Sequence, residues 1–278
     1  MILVTGATGN VGGDVVGELV EAGHDVRALT RNPERAKLPP GVEVVRGDLS
    51  APETLPAALA GVEAVFLYAV PGSAPAFVRA ALDAGVRRVV MLSSLAVRDD
   101  VEVQSNPIGA FHAEIEDAVA ASGLEWTFLR PGAFATNVYQ WAGQVKAGDV
   151  VRLAFPDAAT APIHEADIAA VGVRALTADG HAGAKYPMTG PESLTHRDQV
   201  RIVGEAIGRP LRLEELPPDL AREQMLTRVP APVVDSLFAL MRASVGQEAY
   251  VIDTVEKVLG RPARTFAQWA ADHADDLR

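Results

Sequence analysis

Three glycines near the amino terminus, Gly6, Gly9 and Gly12, are spaced three residues apart in the run TGATGNVGG. The short apolar run Ile2 to Val4 precedes them, and a helical pattern from Val11 to Val20 follows. A buried strand that turns through glycines into a helix directs unpaired backbone N–H groups and the positive end of the helix dipole at one point. Such a point binds phosphate. The spacing therefore predicts a dinucleotide site, and an ordinary glycine-containing turn is the alternative.

Each glycine of this turn has its own expected role. Gly6 permits the sharp turn, Gly9 permits close approach of a pyrophosphate, and Gly12 permits tight contact between helix and strand. Further contacts with the same ligand are expected from the residues between and after these glycines, namely Thr8, Asn10 and Val11.

The end of the second predicted strand, Asp25 to Leu29, decides which ribose is recognised. A site for NAD places Asp or Glu about 20 residues past the glycines, where the acid accepts from the 2′-hydroxyl. Here the segment Leu29 to Pro33 has no acid and contains Arg31. A guanidinium suits a 2′-phosphate, so the sequence favours NADP(H) over NAD(H). A solvated loop arginine is the alternative.

Two further strand ends complete the predicted cofactor site. Asp48 and Leu49 follow the third predicted strand, Val42 to Val45. Asp48 is placed to accept from an adenine amine or to act as an ordinary turn residue, and the sequence does not separate these roles. After the fourth strand, the backbone of the segment that begins at Tyr68, Ala69 and Val70 is expected beside the pyrophosphate and ribose.

Polar residues after the fifth predicted strand are candidates for chemistry. Ser93 and Ser94 end that strand and could orient a substrate carbonyl or the nicotinamide amide, or could satisfy loop backbone. His112 begins the next predicted helix, 112–121, and could donate a proton or hydrogen-bond the ribose. In the alternative interpretation His112 pairs with Glu116 on the same helix face.

These residues require a particular scaffold. Apolar strands alternate with helices up to the strand WTFLRP, which indicates a parallel sheet covered on both faces. We therefore predict an α/β, doubly wound Rossmann fold over residues 1–150, with residues 164–190 returning to it. Residues 191–278 are predicted to form a smaller, mostly helical substrate lobe, with helices near 196–207, 219–227, 231–244, 252–259 and 265–276.

Composition excludes several classes of protein. The 278 residues contain no cysteine, so disulfides, thiolate metal sites and cysteine nucleophiles are excluded, and a cytoplasmic location is expected. The net charge of −11 disfavours direct nucleic-acid binding. No apolar run approaches the ~18 residues of a membrane span, so no membrane association is expected. His164, Glu165 and Asp167 are residue types that bind metals. Asp167 is better explained as the N-cap of a helix, and no metal site is expected.

Together these motifs resemble a known family. Six motifs occur along the chain in this order: T-G-A-T-G-N-V-G, G-D-L-S, V-V-M-L-S-S, H-A-E-I-E-D-A-V-A-A-S-G-L-E-W-T-F-L-R-P-G-A-F-A-T-N, A-D-I-A and M-T-G-P-E-S-L-T. The chain resembles the atypical short-chain dehydrogenase/reductases, and more narrowly the NmrA-like NAD(P)-binding family. That family includes quinone reductases and redox-sensing regulators.

The catalytic pair typical of the wider superfamily is missing. Its members reduce carbonyls with a Tyr–x–x–x–Lys pair, in which Tyr supplies the proton. Here the residues four beyond the tyrosines are Gly72, Gly143, Gly190 and Thr254, and no lysine lies between Lys37 and Lys146. Sugar epimerase or dehydratase chemistry therefore becomes unfavourable.

The sequence favours an NADPH-dependent oxidoreductase that transfers a hydride to a small apolar carbonyl, enone or quinone. Its acceptor pocket is expected from the residues after the sixth strand, namely Pro131, Phe134, Asn137, Tyr139 and Trp141. In the alternative interpretation these residues form the hydrophobic seam between the two lobes. One alternative is a non-catalytic NAD(P)-sensing regulator with a protein partner. A second alternative is a natural-product tailoring reductase or isomerase. A homodimer is compatible with each.

Overall fold

The computed structural model describes residues 1–278 and divides them into two units. The first unit comprises Met1–Pro131, Glu165–Met188 and Lys257–Gly260, and the second comprises Gly132–His164, Thr189–Glu256 and Arg261–Arg278. The sequence predicts that residues 132–150 belong to the Rossmann unit. They lie in the second unit because their apolar side chains, such as Val138 and Val145, are buried in the core of that unit.

The first unit contains one seven-stranded sheet in the order β3-β2-β1-β4-β5-β6-β9, in which all neighbours are parallel. This confirms the Rossmann order, and residues 164–190 return to the sheet as predicted, with β9 as its seventh, edge strand. The strands are β1 Ile2–Val4, β2 Val26–Thr30, β3 Glu43–Arg46, β4 Ala64–Tyr68, β5 Arg88–Leu92, β6 Glu125–Pro131 and β9 Ala184–Met188; β7 and β8 belong to the second unit.

Helices cover both faces of this sheet, as expected for a doubly wound fold. The helices are α1 Asn10–Glu21, α2 Leu55–Leu59, α3 Ala74–Asp83, α4 Pro107–Ala120 and α6 Glu165–Thr177. Side chains of a strand alternate between faces, and β4 shows this. Val65 and Leu67 join the core formed with α2, α3 and α4. Phe66 faces α6 instead, where a Cβ on Gly172 would lie 3.0 Å from its ring.

The starts of α4 and α6 differ from the sequence prediction. Helix α4 begins at Pro107 rather than at His112, because the Asn106 side chain accepts from the Ile108 N–H at 2.8 Å and proline suits the first helical position. Helix α6 begins at Glu165, so Asp167 is not its N-cap. Asp167 instead lies fully buried in the first turn.

The second unit has its own core around Trp269, Phe266, Trp141 and Val203. Its strands form two small sheets, one of β10 with β8 and one of β11 with β7. Its elements are α5 Ala142–Ala147, β7 Val150–Leu153, β8 Ala159–Thr160, β10 Leu194–Thr195, α7 His196–Ala206, β11 Arg212–Glu215, α8 Pro218–Leu226, α9 Ala231–Ser244, α11 Phe266–Asp272 and α12 Ala274–Leu277; α10, Thr254–Leu259, contributes to both units. None of the helices combines the length and the apolar character that crossing a membrane requires.

Candidate functional site

The glycine turn has the backbone geometry that the sequence predicted. Gly6 has φ of +64°, in the left-handed region that favours glycine. Gly9 is the N-cap residue of α1, and its N–H donates to the Gly6 carbonyl at 2.9 Å. A Cβ on Gly12 would lie 2.2 Å from the same carbonyl oxygen, so no other residue fits without movement of the helix.

The amino terminus of α1 leaves its donors exposed to a ligand. Gly13 donates the first intrahelical bond, to the Gly9 carbonyl at 2.8 Å, so the N–H groups of Asn10, Val11 and Gly12 precede the ladder. No side chain caps this end, and its first turn carries no acidic residue. The turn therefore fits an anionic phosphate, which both the free donors and the helix dipole stabilise.

The turn lies at the point where the strand order reverses, between β1 and β4. Ligands of open parallel sheets bind in the crevice at this point. Thr5 fixes the crevice, because its hydroxyl donates to the Phe66 carbonyl at 3.1 Å and accepts from the Tyr68 N–H at 2.7 Å. The Tyr68 side chain is 51% exposed, and its Cβ lies 3.0 Å from where a Cβ on Gly6 would stand. Ala69 is buried and Val70 half-buried.

Arg31 lies immediately after β2 and is exposed. Its guanidinium makes no hydrogen bond or ion pair within the chain; only its carbonyl is used, by Arg46 at 3.1 Å. The nearby acid Glu34 is held by Arg46 at 2.5 Å. The end of β2 therefore presents an uncompensated cation to solvent.

Asp48 fills the turn role that the sequence allowed. Its Oδ1 accepts from the Ser50 N–H at 2.8 Å, and the neighbouring Leu49 is buried. A carboxylate has further lone pairs, so this bond leaves Asp48 able to accept from an adenine amine as well.

Ser93 follows β5, is buried, and donates its hydroxyl hydrogen to Glu116 of α4. Glu116 is itself buried and accepts hydrogen bonds from Nε of Arg130 at 2.9 Å and from Nη2 of Arg130 at 2.5 Å. Ser93 therefore does not use its hydroxyl on loop backbone. Ser94 does, since its oxygen accepts from the Ala96 N–H at 3.2 Å.

The chain of charges continues from Arg130 toward solvent. Arg130 contacts both carboxylate oxygens of Asp99, at 2.9 and 3.0 Å, and Lys185 contacts Asp99 at 2.6 Å. The hydrogen bonds from Arg130 and then Lys185 lower the pKa of Asp99 to about 2. Positive and negative groups alternate along this series, so each buried charge is compensated.

His112 lies in the second turn of α4 and is half-buried. Its Nδ1 is 2.7 Å from the Ile108 carbonyl oxygen, and because a carbonyl only accepts, Nδ1 carries the proton. Burial lowers the pKa of His112, against the smaller opposing effects of that hydrogen bond and of Glu116. The predicted pairing of His112 with Glu116 is replaced by the bond to Ile108, since Arg130 and Ser93 occupy Glu116.

The predicted acceptor-pocket residues belong to different units. Pro131 ends β6 in the first unit, and the other four lie in the second. Phe134 is half-buried and Asn137 is exposed. Trp141 and Tyr139 pack into the core of the second unit, and the Tyr139 hydroxyl lies 2.8 Å from Nδ1 of His273.

Comparison with known proteins agrees with this geometry. Residues 6–179 match the model of a protein family described as NAD(P)H-binding. The chain belongs to this family. The (4-alkanoyl-5-oxo-2,5-dihydrofuran-3-yl)methyl phosphate reductase of Streptomyces griseus is 44% identical over 281 residues, which cover 99% of this chain and 98% of that protein. The NAD(P)H azoreductase of Xenophilus azovorans is 38% identical over 285 residues, with coverage of 99% and 98%.

Solved structures extend the likeness to the whole fold. The NADPH-dependent quinone oxidoreductase of Escherichia coli has a TM-score of 0.79 and 26% identity, covering 98% of this chain and 99% of that one. The triphenylmethane reductase of Citrobacter sp. complexed with NADP(H) has the same fold, with a TM-score of 0.77 at 23% identity and coverage of 99% and 100%. The NmrA-like resemblance is confirmed, and this member of the NAD(P)H-binding family is an NAD(P)H oxidoreductase.

The sequence analysis missed the Glu116–Arg130 pair. The sequence carried a signal for this pair, because Trp126, Phe128 and Arg130 are every second residue of a predicted strand and so share one face. An arginine in such a buried series requires a buried anion. Glu116 lies between the buried residues Ile115 and Val119 of α4 and supplies that anion.

Proposed function

We propose that this protein uses NADPH to reduce a small, electron-poor acceptor whose reacting bond is conjugated with a carbonyl, as in an enone or a quinone. The observation that carries the proposal is the combination of a glycine turn suited to phosphate, a free Arg31, and a His112 whose Nδ1–H is already donated to the Ile108 carbonyl. The site would bind a phosphorylated dinucleotide well and donate protons weakly.

The preference for NADPH rests on charge at the end of β2. A 2′-phosphate there would meet the uncompensated guanidinium of Arg31, while Glu34, three residues further on, already pairs with Arg46. An Arg–phosphate contact is charge-assisted and often bidentate. Without an acid to accept from a 2′-hydroxyl, NADH would lack the contact that NAD sites provide.

The remaining cofactor contacts follow the crevice between β1 and β4. The N–H groups of Asn10, Val11 and Gly12 would hold the pyrophosphate, with Thr8 and Gly9 completing the turn. Tyr68 would flank it, and Ser93 and His112 would lie toward the nicotinamide, at the carboxyl edge beside β5.

When bound, NADPH supplies the hydride. The protein then has to position the acceptor, exclude water and manage one proton. His112 has little proton to give, because its Nδ1–H is donated to the Ile108 carbonyl and burial, which lowers its pKa, disfavours the protonated ring. The sequence has no Tyr–x–x–x–Lys pair. Lys185 is engaged with Asp99 at 2.6 Å. An acceptor that spreads the added charge into a conjugated carbonyl needs least help from an acid, so enones and quinones are favoured over isolated ketones.

The relatives support the same substrate class. The name of the Streptomyces griseus enzyme describes a ring double bond conjugated with two carbonyl groups and a phosphate ester. Two other relatives are named for azo and quinone reduction, and of these two acceptors the quinone belongs to the proposed class. Pro131, Phe134 and Asn137 are the positions we propose to contact the acceptor, with Tyr139 and Trp141 supporting them from the core of the second unit.

The test is NADPH oxidation against a matched set of acceptors. The set comprises an acyl butenolide with and without its phosphate ester, a benzoquinone, an azo dye and an unconjugated ketone of similar size. We expect turnover of conjugated acceptors and none of the ketone. Reduction of the ketone alone would overturn the proposal. Tight NADPH binding without turnover of any acceptor would favour the sensing regulator instead.

A further inference from the structure

The hydrogen-bonding direction of Ser93 is decided by Glu116. Arg130 donates to both oxygens of Glu116, so that side chain is an ionised carboxylate and only accepts. The contact between Ser93 and Glu116 must therefore use the serine hydroxyl hydrogen. What Ser93 can offer to any other group is a lone pair.

His112 is constrained in the same way. Its Nδ1–H donates to the Ile108 carbonyl at 2.7 Å, which leaves a lone pair on Nε2 in the neutral ring. Glu116, which accepts the Ser93 hydroxyl hydrogen, lies one helical turn after His112 on α4. We refer to Ser93 Oγ and His112 Nε2 as the acceptor pair.

We propose that Glu116 is a positioning residue that makes Ser93 an obligate acceptor, so that the acceptor pair binds hydrogen-bond donors of the cofactor and not the substrate carbonyl. The donors in question are the carboxamide N–H of nicotinamide for Ser93 and a ribose hydroxyl for His112. This inference rests on the proposed function, because it takes the nicotinamide to lie at the carboxyl edge of β5. It excludes the alternative in which Ser93 donates to a developing oxyanion.

The surrounding charges keep Glu116 in this role. Arg130 is 5% exposed and Glu116 is 3% exposed, so neither can exchange its partner for water. Asp99 holds the far side of Arg130 at 2.9 and 3.0 Å. Loss of Glu116 from this series would leave a buried guanidinium with one partner instead of two, which is strongly unfavourable. The direction of the serine hydroxyl is therefore fixed before any ligand arrives.

The test uses a cofactor analogue that lacks the carboxamide donor. Acetylpyridine adenine dinucleotide phosphate carries an acetyl group, which only accepts, in place of the amide. We expect the wild-type protein to bind NADP+ about three- to tenfold more tightly than this analogue in calorimetric titrations, the range of one neutral hydrogen bond. Ser93→Ala leaves the Glu116–Arg130 pair intact and should abolish the preference.

Glu116→Gln tests the positioning step itself. An amide can donate to Ser93, which frees the hydroxyl to donate to the acetyl group, so the preference should narrow toward unity. Combining it with Ser93→Ala should cause no further change in the ratio, because Glu116 acts through Ser93. Glu114→Gln is the matched control, since it is the same substitution on the exposed face of α4, and it should retain the wild-type ratio.

Two outcomes overturn the inference. One is equal binding of NADP+ and the analogue by the wild-type protein. The other is a Ser93→Ala variant whose kcat falls about a hundredfold while its preference for NADP+ persists, which would identify Ser93 as a donor to the substrate. The titrations need no turnover. If the affinities for NADP+ and the analogue have the predicted ratio but no acceptor is reduced, only the proposed function is overturned. Should Glu116→Gln not fold, Ser93→Ala alone decides between these outcomes.

Discussion

Substitution of Gly12 by alanine tests the phosphate-binding turn most directly. The added Cβ would lie 2.2 Å from the Gly6 carbonyl oxygen and 2.7 Å from its carbon. Ordinary contact distances would require the start of α1 to move by about 1 Å away from the turn. The N–H groups of Asn10 and Val11 would move with it, away from the phosphate position.

The size of the effect follows from those donors. Each charge-assisted hydrogen bond contributes about 1.5–3 kcal/mol, so loss of two should raise the Kd for NADPH about a hundredfold or more. Overpacking should also lower the free energy of unfolding by about 1–3 kcal/mol. The assays are NADPH fluorescence titration and urea unfolding of the same preparations.

Gly17→Ala is the matched control on the same helix. Nothing lies within 4 Å of a Cβ built at Gly17. Alanine should therefore stabilise α1 by about 0.5–1 kcal/mol and leave NADPH binding unchanged. If Gly12→Ala bound NADPH within about threefold of the wild-type protein, close helix–turn contact would not be what positions the donors, and the reasoning would be refuted.

Three further predictions concern charge, titration and helix capping. Arg31→Ala should weaken NADPH binding about ten- to a hundredfold and NADH binding by much less. The control is Arg79→Ala, which removes an exposed and unpaired arginine of α3 and should change neither affinity. Equal losses of affinity for both cofactors would contradict the 2′-phosphate assignment. Burial lowers the pKa of His112, so the folded state binds fewer protons than the unfolded state, and the free energy of unfolding should fall as pH drops below about 6.5. In urea unfolding, His112→Gln should reduce this dependence of the free energy of unfolding on pH. An unchanged pH dependence would count against a buried neutral ring. Asn106→Ala should lower the free energy of unfolding by about 1 kcal/mol through loss of the α4 cap, Asn106→Asp should restore most of it, and identical stabilities of all three proteins would disprove the capping role.

Most of the fold could be predicted because its signals are local. Strand and helix periodicity spans a few residues, and the glycines of the first turn report backbone conformation at their own positions. The strand order follows from that turn together with the alternation of strands and helices. The predicted start of α4 is five residues too late. The N-cap Asn106 and the first-turn proline Pro107 carried the signal for the true start.

The division into units was harder to predict. Residues 132–150 follow a strand of the sheet directly, and nothing in their local pattern says which core they join. Val138, Trp141 and Val145 are buried with Val203 and Trp269, far away in sequence. Such a choice depends on contacts that exist only after folding.

The sequence by itself determined that this protein has a Rossmann sheet, a glycine turn at the start of α1 and an arginine, Arg31, after β2, where we propose that a 2′-phosphate binds. These features depend on residue type and short spacing. Only the tertiary structure decided what Ser93 and His112 can do. Ser93 follows β5, Arg130 lies on β6 and Glu116 lies on α4. Packing of α4 against the sheet joins them into one hydrogen-bonded series. Hydrogen-bond direction is a property of that assembled series, and no single residue type specifies it.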